Sequence, residues 1–252
     1  MGAARSRLLR QLRAAAVAFV VASAAVPASA ASYAVEPTTF TLTPPVRNAT
    51  MTLTNLSSLP IRLHVSAAAW SEDDAGTMRL VPSPDIVIFP QLFTIPPLGK
   101  QVVRAAVVGA RREAEQPFRI VIEDMPSVEE IVQSGAARIT MRTRFTVPVY
   151  VEPASPAAAS HIENVGMHGG VFSFAVVNTG STHVGGAVLA VTGRDASGKT
   201  VYAAKVPGWH VLAGERRVFA LAFGGGCLRS VTIAPDAGAV PAAQTVDLAA
   251  CK

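Results

Sequence analysis

Apolar and polar residues along the chain alternate over short stretches and do not recur at helical spacing. Alternating or β-branched runs return every 8 to 15 residues, separated by Pro, Gly, Asn, Asp and Ser, which is the punctuation of an all-β protein. The pattern predicts strands over 50–54, 62–70, 85–89, 101–108, 118–123 and 137–151. A second set is predicted over 171–178, 187–192, 200–206, 217–222, 231–234 and 245–250. Between the sets, 152–160 is a Pro/Ala/Ser stretch of linker composition. Each half therefore carries about six or seven strands in roughly 100 to 120 residues, the count of an immunoglobulin-like β-sandwich. We expect one such domain over 31–151, a linker over 152–160 and a second domain over 161–252. The Ala-rich pieces lack a sustained 3.6-residue apolar stripe, so no amphipathic helix is predicted. In the second half Gly169-Gly170, Gly185-Gly186 and Gly224-Gly225-Gly226 mark turns or bulges.

The run 137–151 stands apart. Period-2 alternation puts Ala137, Ile139, Met141, Thr143, Phe145 and Val147 on one face, and Arg138, Thr140, Arg142, Arg144 and Thr146 on the other. It is far longer than the usual strand of about five or six residues. Unpaired, such an edge invites aggregation. Its arginines read as a guard against wrong pairing, or the edge exists to be paired by a strand of another chain.

Composition narrows the setting. The chain has 252 residues, half of them apolar and 15% charged, which excludes intrinsic disorder. The formal charge of +5 suggests a nucleic-acid binder until it is located. Arg5, Arg7, Arg10 and Arg13 lie in the first 30 residues, which hold no acid; without them the balance is 18 basic to 17 acidic residues. The same segment has an apolar run of 13 residues from Ala14 to Val26, then Ala28-Ser29-Ala30, a small-x-small cleavage site. The run is short of the ~20 residues a spanning helix needs. The expectation is a secretory signal over 1–30 and an exported protein. Export suits the two cysteines, Cys227 and Cys251: a bridge between them would close a loop of about 25 residues, worth roughly 3.5 kcal/mol by chain entropy. Metal binding or a reactive thiol lacks any CxxC or Cys/His spacing in its support.

Candidate chemistry is sparse. The segment from Gly193 to Thr200 fits G-x-x-x-x-G-K-[ST], but a phosphate-binding loop needs a helix after Lys199-Thr200. Here Val201-Tyr202-Ala203-Ala204-Lys205-Val206 reads as strand and Asp195-Ala196-Ser197-Gly198 as a hairpin turn, so no nucleotide is expected. His64, His161, His168, His183 and His210 are scattered; Met167, His168 and His183 could assemble a soft copper site only in three dimensions. No G-x-S-x-G elbow is present, and Glu129-Glu130 has no basic or nucleophilic neighbour. No enzyme, cofactor or nucleic-acid partner is indicated.

Several blocks, in order, resemble the PapD-like periplasmic chaperones of chaperone–usher pilus assembly. Thr52-Leu53-Thr54-Asn55 resembles their early strand with its terminal Asn. Phe93-Thr94-Ile95-Pro96-Pro97-Leu98-Gly99-Lys100, running on to Val103-Arg104, is similar to a Pro/Gly turn leading into a strand that ends Val-Arg. Phe118-Arg119-Ile120-Val121-Ile122-Glu123-Asp124-Met125-Pro126 resembles a strand ending in an acid, an aliphatic and Pro; 127–135 then matches the loop before the donor strand. The resemblance implies two immunoglobulin-like domains set at an angle, with a cleft between them. It implies clients that are pilus or fibre subunits with an incomplete immunoglobulin-like fold, and delivery to an outer-membrane usher. The donated residues would be Ala137, Ile139, Met141 and Thr143. The family's basic anchors for a subunit carboxylate fall here on Thr39 and Thr146, with Arg144 a candidate substitute on the same face as Thr146. Interdomain roles are implied for Asp124 and Arg104, although the usual Arg partner of that acid is Tyr150 here. The chain reads as a divergent member. Two other functions remain open: an adhesive or structural envelope protein that associates through the same edge, and a periplasmic metal-binding module.

Overall fold

The structure, a computed structural model, describes residues 32–126, 142–225, 227–235 and 242–248. All regular structure in them is strand, in two sandwiches. The first contains β1 (Tyr33–Glu36), β2 (Phe40–Leu42), β3 (Asn48–Asn55), β4 (Ile61–Glu72) and β5 (Met78–Pro82). It continues with β6 (Ile86–Phe89), β7 (Leu92–Ile95), β8 (Lys100–Val107), β9 (Gln116–Met125) and β10 (Arg144–Val151). One sheet has the order β1-β3-β8-β6; the facing sheet runs β2-β10-β9-β4-β5, with β7 also on β4. The second sandwich is built from β11 (Ser160–His168), β12 (Val171–Asn178), β13 (Val184–Arg194) and β14 (Thr200–Val211). It is completed by β15 (Arg216–Ala222), β16 (Ser230–Pro235) and β17 (Gln244–Asp247). Its sheets are β11-β12-β15 and β14-β13-β16-β17. Among the described residues no helix is long and apolar enough to cross a membrane.

Alternation explains the first core. Met51 and Leu53 of β3, Leu63 and Val65 of β4, Ile120 and Ile122 of β9, and Val147 and Val149 of β10 are all buried between the sheets. On β4 the buried phase then switches: Ala68 and Trp70 are buried on the face opposite to Leu63 and Val65. The switch has a physical cause, because Trp70 packs with Tyr150 and with Leu212 of the second sandwich. The second core centres on Phe172, Phe174, Leu189, Val191, Trp209 and Ile233.

Each sandwich also holds a buried asparagine at a strand end. Asn55 Nδ2 donates to the carbonyls of Leu59, Ile95 and Pro96 at 2.8, 3.2 and 3.0 Å, tying the β3–β4 turn to the end of β7. Asn178 Nδ2 donates to Thr182 and Val211 carbonyls at 2.8 and 3.0 Å, while its Oδ1 accepts from Gly180. Buried polar groups are tolerated when satisfied in this way.

The phosphate-loop pattern is a hairpin turn between β13 and β14, as its strand-like sequel requires. Gly198 has φ +81°, and Asp195 Oδ1 accepts from the Ser197 hydroxyl and from the Ser197 and Lys199 amides. These bonds, the Ser197 hydroxyl foremost, hold the Asp195 carboxyl below its ordinary pKa. Short strands β1, β2, β5 and β7 were not predicted; each has three to five residues, too few to show a period. The expected linker also ends earlier, since Ser160 already opens β11, and Ala157 and Ala159 accept from the backbone of 179–181.

Candidate functional site

Strand β10 is held on both sides for only part of its length. It pairs with β9 from Arg144 to Val151, but with β2, in parallel, only from Val149 to Val151. Over Arg144–Pro148 its outer edge has no strand partner among the described residues. Phe145, Val147 and Val149 share one face, on which Val147 and Val149 are buried and Phe145 is exposed; the other face carries Arg144, Thr146, Pro148 and Tyr150, in the phase alternation predicts. Of the expected donor residues, Ala137, Ile139 and Met141 lie outside the described residues. Thr143 is described: its carbonyl accepts from the Asp124 amide at 3.0 Å, one step beyond the β9–β10 ladder.

The charges above this edge are already used. Arg144 lies opposite Glu123, with Nε 3.4 Å from Oε1, and Glu123 also lies 3.6 Å from His64 Nδ1. Arg144, the candidate carboxylate anchor, thus has an acid of its own chain within reach. Arg142 donates to the Asp124 carbonyl at 3.4 Å. Asp124 lies near the Tyr33 phenol, which burial first and this carboxylate second push up to about 12. Arg104 is exposed on β8, opposite Thr50 and Phe89, in the other sheet from Asp124.

Further residues supply polar contacts that join the sandwiches. Below the open edge lies a cleft of about 440 Å³, lined by Thr39, Pro148 and Tyr150 from the first sandwich and His183, Trp209 and His210 from the second. Tyr150 stacks on His183 with centroids 4.0 Å apart, and His210 meets Trp70 edge-on at 5.4 Å. Both imidazoles face acids of the first sandwich. His183 Nδ1 donates to Glu115 Oε1 and Oε2 at 2.9 Å, and that carboxylate is 1% exposed. His210 Nε2 lies 2.9 Å from Glu72 Oε1, and Arg217 lies 4.0 Å from Oε2. Arg216 bridges Asp74 and Glu163, and the Val218 amide donates to the Asp74 carbonyl at 2.7 Å. The Glu72 amide donates to the Glu215 carboxylate, whose pKa is raised chiefly by burial. Burial likewise pushes the Tyr150 phenol up to about 12.

His183 is thus an interdomain partner of Glu115; Met167 and His168 lie at the end of β11. Among the described residues no group of three or more His, Cys, Asp or Glu is arranged to hold a metal ion. Sequence reasoning gave no role to Glu72, Glu115 and His210 because each acid lies more than 60 positions from its imidazole and only the fold brings them together. Cys227 lies between β15 and β16; Cys251 is outside the described residues.

Comparison with known proteins bears directly on this edge and cleft. The profile of the pili and flagellar-assembly chaperone PapD N-terminal domain matches residues 32–157, half of the chain. The chain belongs to the PapD-like pili and flagellar-assembly chaperones. No curated protein sequence matches. Solved structures share the two-domain fold of these chaperones. One is a chain of the CsuC–CsuE chaperone–tip adhesion subunit pre-assembly complex from the archaic chaperone-usher Csu pili of Acinetobacter baumannii. It is 14% identical with a TM-score of 0.56, over 86% of this chain and 98% of that one. The class 5 fimbriae chaperone CfaA is 10% identical with a TM-score of 0.55, over 87% of this chain and all of that one. A chain from the complex of Salmonella enterica SafA pilin with the SafB chaperone is 16% identical with a TM-score of 0.52, over 88% and 99%.

Proposed function

We propose that this PapD-like chaperone binds fibre subunits by donor-strand complementation. In this reading the segment that enters β10 supplies Ala137, Ile139, Met141 and Thr143 to a subunit lacking one strand, and an outer-membrane usher receives the complex. The observation that carries the reading is the open outer edge of β10 from Arg144 to Pro148, above a cleft, in a strand that alternates apolar and polar. An added strand satisfies backbone groups on both chains, while alternate side chains enter the subunit's groove. The segment 1–30 is proposed to direct the chain to the periplasm, where PapD-like chaperones act. A Cys227–Cys251 disulfide is proposed there, closing a loop of about 25 residues in a compartment where such bridges persist.

The test is co-expression with a pilus subunit that lacks one strand of its immunoglobulin-like fold. Ile139→Asp combined with Met141→Asp is expected to abolish subunit co-purification while the melting temperature stays within a few degrees of wild type. Undiminished co-purification would refute the reading.

A further inference from the structure

Two imidazoles of the second sandwich each reach a buried acid of the first. His183, the residue before β13, meets Glu115, the residue before β9, with Nδ1 2.9 Å from both carboxylate oxygens. His210 of β14 meets Glu72, the last residue of β4, with Nε2 2.9 Å from Oε1. The two carboxylates are 1% and 7% exposed, whereas the imidazoles are 32% and 27% exposed. The acids are shielded from water while their partners stay open to protons. The pairs His64–Glu123 and His161–Glu163, by contrast, each lie within one sandwich, are longer at 3.6 and 3.7 Å, and are more exposed.

The charges around each ring make its proton matter. Histidine ordinarily changes charge between about pH 5 and 8, above the range in which free carboxyls ionise. His210 is faced by Glu72 and Glu215, with Arg217 4.0 Å from Glu72 Oε2. Burial already works against charge on Glu215. His183 is faced by Glu115 and stacked on Tyr150, whose phenol is pushed up to about 12 by burial and so stays uncharged. Arg119, over the Trp70 ring, is the cation that senses Tyr150 and Glu72 from β9. Around the two rings three acids, Glu72, Glu115 and Glu215, thus face two guanidiniums, Arg119 and Arg217, so neutral imidazoles leave negative charge in excess. A protonated ring also donates the better bond, since charge-assisted hydrogen bonds are about twice as strong as neutral ones.

We infer that protons on His183 and His210 latch the two sandwiches together, so that the joint is tight on the acid side of neutrality and loosens as pH rises. Each bridge is a charge-assisted pair while its ring is protonated, and a weaker neutral bond beside an excess of negative charge once the proton leaves. The cleft moves with the latch, because Tyr150 and His183 line it from opposite sandwiches. The latch works with or without a client strand on β10, and so stands apart from the subunit-binding reading.

Two backbone bonds report on the joint, since the Glu115 amide donates to the Ser181 carbonyl at 2.8 Å and the Val218 amide to the Asp74 carbonyl at 2.7 Å. Amide hydrogen exchange of the full chain is measured by NMR from pH 5.5 to 8.0 and expressed as protection relative to the unstructured chain at each pH. Protection of Glu115 and Val218 is expected to fall by about tenfold across that range, while Phe174 and Leu189 in the second core keep theirs. His183→Gln combined with His210→Gln keeps side-chain donors that do not titrate, and should hold the joint at its alkaline level of protection throughout. Glu115→Gln keeps an acceptor without the charge, and should flatten the response of the Glu115 amide. Wild-type protection at the joint that does not change with pH overturns the inference without recourse to any variant. A fall that persists undiminished in the double histidine variant overturns it equally.

Discussion

Removing the Glu115 carboxylate tests how the two sandwiches are held around the cleft. Glu115 is 1% exposed, accepts from His183 Nδ1 at 2.9 Å through both oxygens, and accepts the His183 amide at 3.3 Å. His183 is 32% exposed and stacked on Tyr150. One charge-assisted bond is worth about 1.5–3 kcal/mol, and the longer amide bond adds less. Partial exposure of the imidazole screens the pair, so Glu115→Ala should cost about 2–3 kcal/mol, below the 3–5 of a fully buried broken pair. His183→Ala loses the same bond together with the ring stack and should cost about as much. The two losses overlap. In urea unfolding at pH 7, followed by tryptophan fluorescence, the double variant should recover about 1–2 kcal/mol of coupling. Additive effects, with coupling under about 0.5 kcal/mol, would refute the view that this pair latches the domains.

Tyr150 makes the fold sensitive to alkali. Its phenol ionises near 10 when free but is pushed up to about 12 by burial, so the folded state binds its proton more tightly. The resulting stability is complete below pH 10 and is lost as pH rises toward 12, by about 3 kcal/mol. Tyr150→Phe should therefore flatten the decline in unfolding free energy between pH 10 and 12, and parallel curves for the two proteins would contradict the assignment. Asn55→Ala removes three donated bonds and strands the carbonyls of Leu59, Ile95 and Pro96; chemical denaturation should register a loss of about 2–4 kcal/mol. Asn178→Ala should produce a comparable loss, and a wild-type midpoint in either variant would show the buried amides to be dispensable.

The legible parts of this molecule are those in which one face of a strand meets one core. Alternation located β3, β8, β9 and β12 to within a residue or two, and the Asp195–Gly198 turn exposed the phosphate-loop match as a hairpin. The faces of β10 were legible for the same reason, with Val147 and Val149 inward and Arg144 and Thr146 on the other face. Pairing beyond the strand was not. Whether Arg144 is a spare cation depends on Glu123, which comes opposite it only once β9 and β10 are in register. The cleft was still less visible: Trp70 and Tyr150 lie on faces that a single sandwich would leave to solvent, and they are buried because Leu212, His183 and His210 come from the other sandwich. Arg119 looked in the sequence like an ordinary outward residue of an alternating strand. Its guanidinium reaches the Trp70 ring only once β4 and β9 are in register.

The central claim, capture along the open edge of β10, is most directly tested by amide hydrogen exchange over residues 142–148, measured for the chaperone alone and with its client subunit. A strand added to that edge should slow exchange there by at least tenfold while leaving β12 and β13 unchanged. Exchange over 142–148 that is the same with and without a stoichiometrically bound subunit would contradict the account.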